Sequence, residues 1–256
     1  NLTYLALDAN RILTDVSPLS GLTKLSFVSL NENAIDDVGP LAGLTNLIYL
    51  YLAENNFSDL SGLSRLVKLS ELDLPGNLIS DLTPLAGLTN LFWLGLNGNR
   101  LADIAPLSKL TSLDELYLAD NAISDITPLA SLTKVTSLYL SGNWLTNLTA
   151  LTGLMNLAKL DVKGNLLDVR DGSTARAALQ TLSNRGVQVE YEPQSVLPRI
   201  SPIPDQITSA GAAAAPIAFR VASLATLVSQ LTVRGGTSDV GLVPEAAIVF
   251  GGSGAN

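Results

Sequence analysis

The sequence contains no cysteine and no histidine. The first absence excludes disulfides, thiolate metal sites and cysteine nucleophiles. The second removes the side chain that proteins use most often as a base or as a zinc ligand near neutral pH. The chain therefore lacks the side chains of most common catalytic sites. We expect that it has no enzymatic activity, no cofactor and no metal site.

Positive charge and long apolar runs are also scarce. The chain has 15 Lys and Arg against 23 Asp and Glu, a formal net charge of −8. Nucleic-acid binding depends on clustered positive charge, so we expect no nucleic-acid partner. Asp, Asn, Lys or Pro interrupts every apolar stretch before it reaches the roughly 18 residues of a membrane span. We therefore expect no membrane insertion in this segment.

Leucine, in contrast, is abundant and recurs at a fixed spacing. Each copy reads LxxLxLxxNxIxDIxPLxxLTx, and a fixed period in this range indicates a solenoid. The xLxL part alternates, which predicts a short strand with its leucines in the core and parallel pairing between copies. Leu2 opens a copy that is one residue longer, and the other copies open 22 residues apart at Leu25, Leu47, Leu69, Leu91, Leu113, Val135 and Leu157.

Two polar residues belong to this framework. We expect the asparagine that closes each strand to be buried and to satisfy the backbone of its own turn and of the neighbouring copy. We expect the aspartate that follows to cap a turn or short 3₁₀ segment that proline pre-forms. Calcium is the alternative for the aspartates, but they recur once per copy instead of converging on one point. The two sets are Asn10, Asn33, Asn55, Asn77, Asn99, Asn121, Asn143 and Asn165, and Asp15, Asp37, Asp59, Asp81, Asp103 and Asp125.

The stretch "LTNLFWLGLNGNRLADIAPLSKL" resembles the 22-residue leucine-rich repeat of the internalin type, found in bacterial surface proteins, and the resemblance covers residues 1–165. It implies an α/β-type solenoid, a horseshoe with a parallel sheet on its concave face and turns or 3₁₀ segments on its convex face. It also implies a secreted or cell-surface recognition module whose concave sheet holds a partner. Such proteins begin with an N-terminal cap, whereas Asn1 lies at the head of a repeat.

The pattern changes after Asn165. Residues 166–192 predict a C-terminal cap: a helix that begins at Ser173 or Thr174, ends at Gly186 and leads into an alternating strand. Residues 193–204 form a Pro-rich linker. Residues 205–256 resemble a truncated Ig-like or cadherin-like β module, in "PIAFRV" and "LVPEAAIVFGGSGAN", and we expect part of an all-β sandwich. Ser223 stands where that resemblance implies a calcium-binding carboxylate. Both ends suggest a fragment of a larger polypeptide.

The candidate binding residues are the outward strand positions, the third and fifth of each copy. Five of the six tyrosines and one of the two tryptophans fall there, although aromatic residues make up 5% of the chain. Adjacent strands lie about 4.8 Å apart, so these side chains should form one contiguous surface. The structural alternative is that strand propensity alone enriches aromatic residues there. The candidates are Tyr4, Phe27, Tyr49, Tyr51, Glu71, Asp73, Trp93, Glu115, Tyr117 and Tyr139.

These residues favour a non-enzymatic, adhesin-like module that binds a protein with a basic surface. A glycan that stacks on the same rings is one alternative, and a passive spacer is another. A glycoside hydrolase is a further alternative, because Glu71 and Asp73 lie two residues apart on one strand, at a spacing between those of retaining and inverting glycosidases. An open sheet, however, offers no pocket that would raise the pKa of one carboxylate or exclude water, so we do not expect hydrolysis.

Overall fold

The computed structural model describes residues 1–195 in full. Of the remainder it describes only the backbone of a short antiparallel pair, β10 (Arg199–Ile200) and β11 (Val221–Ala222). The chain divides into two compact units, Asn1–Ser195 and Val196–Asn256. The β module predicted over 205–256, and the predicted linker beyond Ser195, thus lie almost wholly outside the described residues. In the part of the chain that is described, no helix is long and apolar enough to cross a membrane.

A nine-stranded parallel sheet forms one side of the first unit, with its strands in chain order. Equivalent positions of successive copies face each other, as Leu50 faces Leu72. The predicted parallel pairing of the repeats is therefore confirmed. The strands are β1 (Tyr4–Ala6), β2 (Phe27–Ser29), β3 (Tyr49–Tyr51), β4 (Glu71–Asp73), β5 (Trp93–Gly95), β6 (Glu115–Tyr117), β7 (Ser137–Tyr139), β8 (Lys159–Asp161) and β9 (Gln188–Glu190).

A 3₁₀ segment follows each of the first seven strands. The framework aspartate accepts a hydrogen bond from the first amide of its segment, as Asp103 Oδ1 does from Ala105 N at 2.8 Å. In the seventh copy Asn147 accepts the same bond from Thr149 N, also at 2.8 Å. The predicted capping role is confirmed, and an amide oxygen performs it as well as a carboxylate. The segments are Ser17–Leu19, Gly39–Gly43, Ser61–Leu63, Thr83–Leu85, Ala105–Lys109, Thr127–Ser131 and Thr149–Gly153.

The framework asparagines form a buried ladder between the sheet and the 3₁₀ segments. In the fifth copy, Asn99 Nδ2 donates to Leu96 O at 3.1 Å and to Leu74 O, one copy back, at 3.0 Å. Its Oδ1 accepts from Ile79 N of that preceding copy at 3.0 Å. Each asparagine from Asn33 to Asn165 is buried and donates in this way, whereas Asn10 is exposed. The side chain thus joins adjacent copies, as the sequence predicted.

A helix and a strand follow the last repeat. Helix α1 (Thr174–Asn184) begins at Ser173, whose Oγ accepts from Arg176 N at 3.2 Å. Gly186 follows it in the left-handed region (φ 90°), and β9 then extends the sheet. The sequence did not predict the role of Arg185, which donates to Thr152 O and Leu154 O at the end of the last 3₁₀ segment. This guanidinium satisfies carbonyl groups that have no further repeat to receive them.

Candidate functional site

We call the solvent side of the sheet, formed by the first and third residues of β1 to β9, the strand face. The middle residue of each strand from β2 to β8 is buried in the core, so the other two point away from it. All ten candidate residues lie on the strand face. The register places them in two rows, with Trp93 between Glu71 and Glu115 in one row and Gly95 between Asp73 and Tyr117 in the other.

The first group of rings, the N-terminal aromatic cluster, consists of Tyr4, Phe27, Tyr49 and Tyr51. Tyr4 stacks on Phe27 with ring centroids 4.3 Å apart and planes 10° from parallel. Phe27 also contacts Tyr49 at 6.2 Å and Tyr51 at 5.5 Å. Tyr4 is 59% exposed and Tyr49 37% exposed, so the cluster keeps ring surface open to solvent.

The second group, the central aromatic cluster, consists of Trp93, Tyr117 and Tyr139. Tyr117 stacks on Tyr139 at 4.4 Å with planes 7° apart, and Trp93 lies 5.0 Å from Tyr117. Lys159 places its ammonium 5.1 Å from the centre of the Tyr139 ring, within the range of a cation–π contact. The three rings are half-buried, and they are buried against one another above the leucine core.

An acidic strand separates the two clusters. Glu71 and Asp73 occupy both outward positions of β4, and no ring contact among the described residues crosses this strand. The sequence predicted one contiguous aromatic stripe, whereas the rings divide into two clusters. The division arises because β4 contributes two carboxylates where the neighbouring strands contribute rings.

Two of the three central carboxylates are paired with tyrosines. Tyr51 donates its hydroxyl to Glu71 Oε2 at 2.6 Å across the β3–β4 boundary, and Tyr117 donates to Glu115 Oε2 at 2.5 Å along β6. Burial and these carboxylates raise the pKa of both tyrosines, which keeps them as hydrogen-bond donors. The tyrosine–glutamate hydrogen bond therefore occurs once between neighbouring strands and once within a strand.

Asp73 is the third carboxylate, and it has no such partner. Within residues 1–195 it accepts no hydrogen bond and forms no ion pair through its side chain. A Cβ on Gly95 would lie 2.2 Å from Asp73 Oδ1 and 2.7 Å from Trp93 Cη2, so both groups lean over this glycine. Burial raises the pKa of Asp73 from 3.8 to about 6. The site thus holds a carboxylate that ionises less readily in the folded protein than it would in water.

Replacing Asp73 with asparagine should therefore stabilise the protein at neutral pH. A raised folded-state pKa means that the native state binds the proton more tightly than the unfolded chain does. The ionised side chain then destabilises the fold above about pH 6, an effect that fades toward the unfolded pKa. Because Asp73 is partly solvated, we expect a gain of about 1 to 2 kcal/mol in the free energy of unfolding near neutral pH.

Urea unfolding of both proteins across a pH series measures this gain, which should shrink toward zero near the ordinary carboxyl pKa. The control is Asp103→Asn, which keeps the acceptor of a 3₁₀ cap and should give no comparable gain. A neutral-pH stability of Asp73→Asn at or below that of the parent protein would contradict the burial argument.

The sequence pattern does not show how some residues shape this surface. Gly95 was placed on it only as an outward position, yet its missing side chain makes room for Asp73 and Trp93. Glu54 and Asp120 precede framework asparagines and adopt left-handed backbone angles, both with φ 53°. Non-glycine residues adopt that conformation at a cost of roughly 1 kcal/mol. Equivalent positions hold glycine in four copies, and comparing those positions would have revealed the exceptions.

The strand face carries an excess of negative charge. Its positions on β1 to β8 hold a single cation, Lys159, and four carboxylates, Glu71, Asp73, Glu115 and Asp161. The surface from β3 to β6 has no cation of its own. A ligand there meets aromatic rings beside uncompensated negative charge, a combination that complements a positively charged partner.

Comparison with known proteins places the repeat in a family. The family model for leucine-rich repeats in two copies matches residues 45–87 and residues 89–131. No curated protein sequence matches the chain. Among solved structures, internalin C2 of Listeria monocytogenes is 39% identical, with 61% of this chain and 69% of that chain covered and a TM-score of 0.60. Internalin F of the same bacterium is 29% identical, covering 75% and 68%, with a TM-score of 0.60. A leucine-rich repeat protein of Leptospira interrogans is 25% identical, covering 75% and 48%, with a TM-score of 0.65.

Proposed function

This chain belongs to the internalin family of leucine-rich repeat proteins, and we propose that it is a non-enzymatic module that binds a protein partner on its strand face. The observation that carries the proposal is the central aromatic cluster with Glu71, Asp73 and Glu115 around it. Its rings keep part of their surface exposed on the side of the sheet that the leucine core does not use. Partly exposed aromatic side chains at the centre of a surface are the usual anchors of protein interfaces.

The charge of the strand face supports a basic partner. Four carboxylates face one cation on β1 to β8, and the whole chain carries a formal net charge of −8. Complementary charge steers the encounter of two proteins and fixes their register. We further propose that the partner is met outside the bacterial cell, on the concave side of the horseshoe, as the internalin resemblance implies.

The domain organisation is part of the same proposal. Residues 1–165 present the binding repeats, and residues 166–192 close their C-terminal end. Residues 193–204 link them to an Ig-like or cadherin-like module over 205–256, which is carried by sequence resemblance alone.

Neutralising the central carboxylates should slow association with the partner. In the triple variant Glu71→Gln, Asp73→Asn and Glu115→Gln, each side chain keeps its shape and an acceptor oxygen while the strand face loses three charges. We expect the association rate to fall about tenfold at low salt and its salt dependence to flatten, with the dissociation rate less affected. Surface plasmon resonance over a salt series measures both rates against a partner captured from cell-surface extracts.

The matched control is the triple variant Asp81→Asn, Asp103→Asn and Asp125→Asn. It removes the same charge from the 3₁₀ side, and Asn147 shows that asparagine keeps the local hydrogen bond. If this variant slows association as much as the strand-face triple, net charge and not the strand face directs binding. The glycan alternative would be favoured if the ligand is a sugar and its affinity changes neither with salt concentration nor in either triple variant.

A further inference from the structure

We propose that the partner protein docks an arginine side chain against the exposed sides of Trp93 and Asp73, so that β4 and β5 form an arginine-binding subsite. This inference rests on the proposed function and names the chemistry that the centre of the strand face recognises. The group bound there is a guanidinium on the surface of the partner protein.

The shape of the subsite comes from Gly95. The position that a Cβ would take there lies within contact distance of both Asp73 Oδ1 and the Trp93 ring edge, at 2.2 Å and 2.7 Å. The carboxylate and the indole therefore meet above a strand position that has no side chain. Tyr117 packs against the indole from the β6 side at 5.0 Å. On the β4 side, where Glu71 is the register partner of Trp93 and Asp73 that of Gly95, no described ring contacts the indole.

Hydrogen-bonding capacity singles out Asp73 among the central acids. Glu71 and Glu115 each accept a tyrosine hydroxyl, at 2.6 Å and 2.5 Å. Asp73 accepts nothing through its side chain from residues 1–195. A partly buried carboxylate without a donor is unfavourable until a ligand supplies one. A hydrogen-bond donor of the partner would therefore stabilise the complex more at Asp73 than at Glu71 or Glu115.

The other end of the central aromatic cluster already holds a cation. The Lys159 ammonium lies 5.1 Å from the centre of the Tyr139 ring, at the β8 end of the Trp93–Tyr117–Tyr139 series. At the β5 end, the described part of the chain shows no cation–π contact to Trp93, and Asp73 lies beside the ring. The partner's arginine would therefore contact Trp93 at the β5 end of the cluster, as the Lys159 ammonium contacts Tyr139 at the β8 end.

Arginine fits this flank better than lysine. A guanidinium is planar, so it can lie along the indole while its N–H groups point to one carboxylate. It is also more weakly hydrated than an ammonium and loses less on entering a half-buried site. The carboxylate–guanidinium pair can form two parallel hydrogen bonds, which fixes the direction of approach.

The test uses the full chain, labelled with ¹⁵N, and three small probes. N-acetylarginine amide, N-acetylcitrulline amide and N-acetyllysine amide are titrated while the Gly95 amide and Trp93 indole signals are followed. Citrulline has nearly the shape of arginine without its charge. We expect saturable shifts of both signals with arginine at millimolar concentrations, none with citrulline, and binding of lysine about tenfold weaker.

Two variants and one control localise the effect. Asp73→Asn should weaken arginine binding about tenfold, the expected loss of a charge-assisted pair, while Asp103→Asn should leave it unchanged. Gly95→Ala should abolish it, because the methyl group would displace the carboxylate and the ring edge. Equal shifts with citrulline, equal affinity for lysine, or an Asp73→Asn protein that binds like the parent would each overturn the subsite.

The subsite and the proposed function can fail separately. If arginine does not bind but loss of the Trp93 and Tyr117 rings abolishes capture of the partner, the strand face still binds the partner and the arginine subsite is wrong. If arginine binds as expected but the partner is captured equally well without those rings, the subsite is real and the proposed docking face is wrong.

Discussion

Replacing Asn99 with alanine should lower the free energy of unfolding by about 1 to 3 kcal/mol. The side chain is buried and bonds in both directions between two copies. It donates to Leu74 O at 3.0 Å and to Leu96 O at 3.1 Å, and it accepts from Ile79 N at 3.0 Å. Alanine can replace none of these bonds, so the backbone groups would be left unpaired where water does not reach. Urea unfolding followed by circular dichroism measures the loss.

Asn77→Ala provides an internal comparison. Asn77 donates in the same way, to Leu52 O at 2.9 Å and Leu74 O at 3.1 Å. Its Oδ1, however, has no hydrogen-bond partner among the described residues. Its removal should therefore be less damaging than that of Asn99, by about the value of one buried amide hydrogen bond. Equal losses would show that the accepted bond contributes nothing, and a change below about 0.3 kcal/mol at Asn99 would contradict the stabilising role of the whole ladder.

The framework of this fold could be predicted because every copy packs the same residue types at the same positions. Leu94 and Leu116 are fully buried because a period of two within the strand and of 22 between copies places them in one core. The fixed asparagine follows from the same geometry, because the strand ends in a turn whose backbone groups are buried. Repetition makes each prediction from one copy testable in the next.

The arrangement of the outward side chains could be predicted only in part. The register fixed which candidates are neighbours, for example Trp93 beside Glu115. The choice of partner depends on side-chain torsions that no repeat period encodes. Tyr51 reaches Glu71 on the next strand, while Tyr117 turns to Glu115 on its own strand. The absent side chain of Gly95 then decides where Trp93 lies, and that contact is not repeated in any other copy.

The half-buried state of the rings also changes what their removal should do to the fold. From the sequence, Trp93 and Tyr117 belong to a solvent face and should not matter for stability. In the structure they pack on each other, with Tyr139 stacked beyond them. Their loss should therefore lower stability slightly, by roughly the 0.5 to 1.5 kcal/mol of an aromatic pair, while the leucines beneath them remain buried.

The double variant Trp93→Ser and Tyr117→Ser should weaken partner binding by about 2 to 4 kcal/mol. These two rings occupy the middle of the strand face, where a docked protein excludes water most completely and where aromatic anchors contribute most. Isothermal titration calorimetry or a pull-down at graded concentrations, with a partner from cell-surface extracts, measures the change. The loss exceeds the expected change in stability, so binding and folding can be separated in the same variant.

The matched control is Phe92→Ser. Phe92 directly precedes Trp93 and is 47% exposed, but it lies outside the strand face. Its loss removes one exposed aromatic ring from the repeat that contains Trp93, without touching the central aromatic cluster. If Phe92→Ser abolishes binding while the double variant binds normally, the partner contacts the flank of the repeats and the strand-face mechanism is wrong. If only the double variant loses affinity, the contact involves the rings of the strand face, because Phe92→Ser removes an exposed ring of the same repeat that lies outside that face.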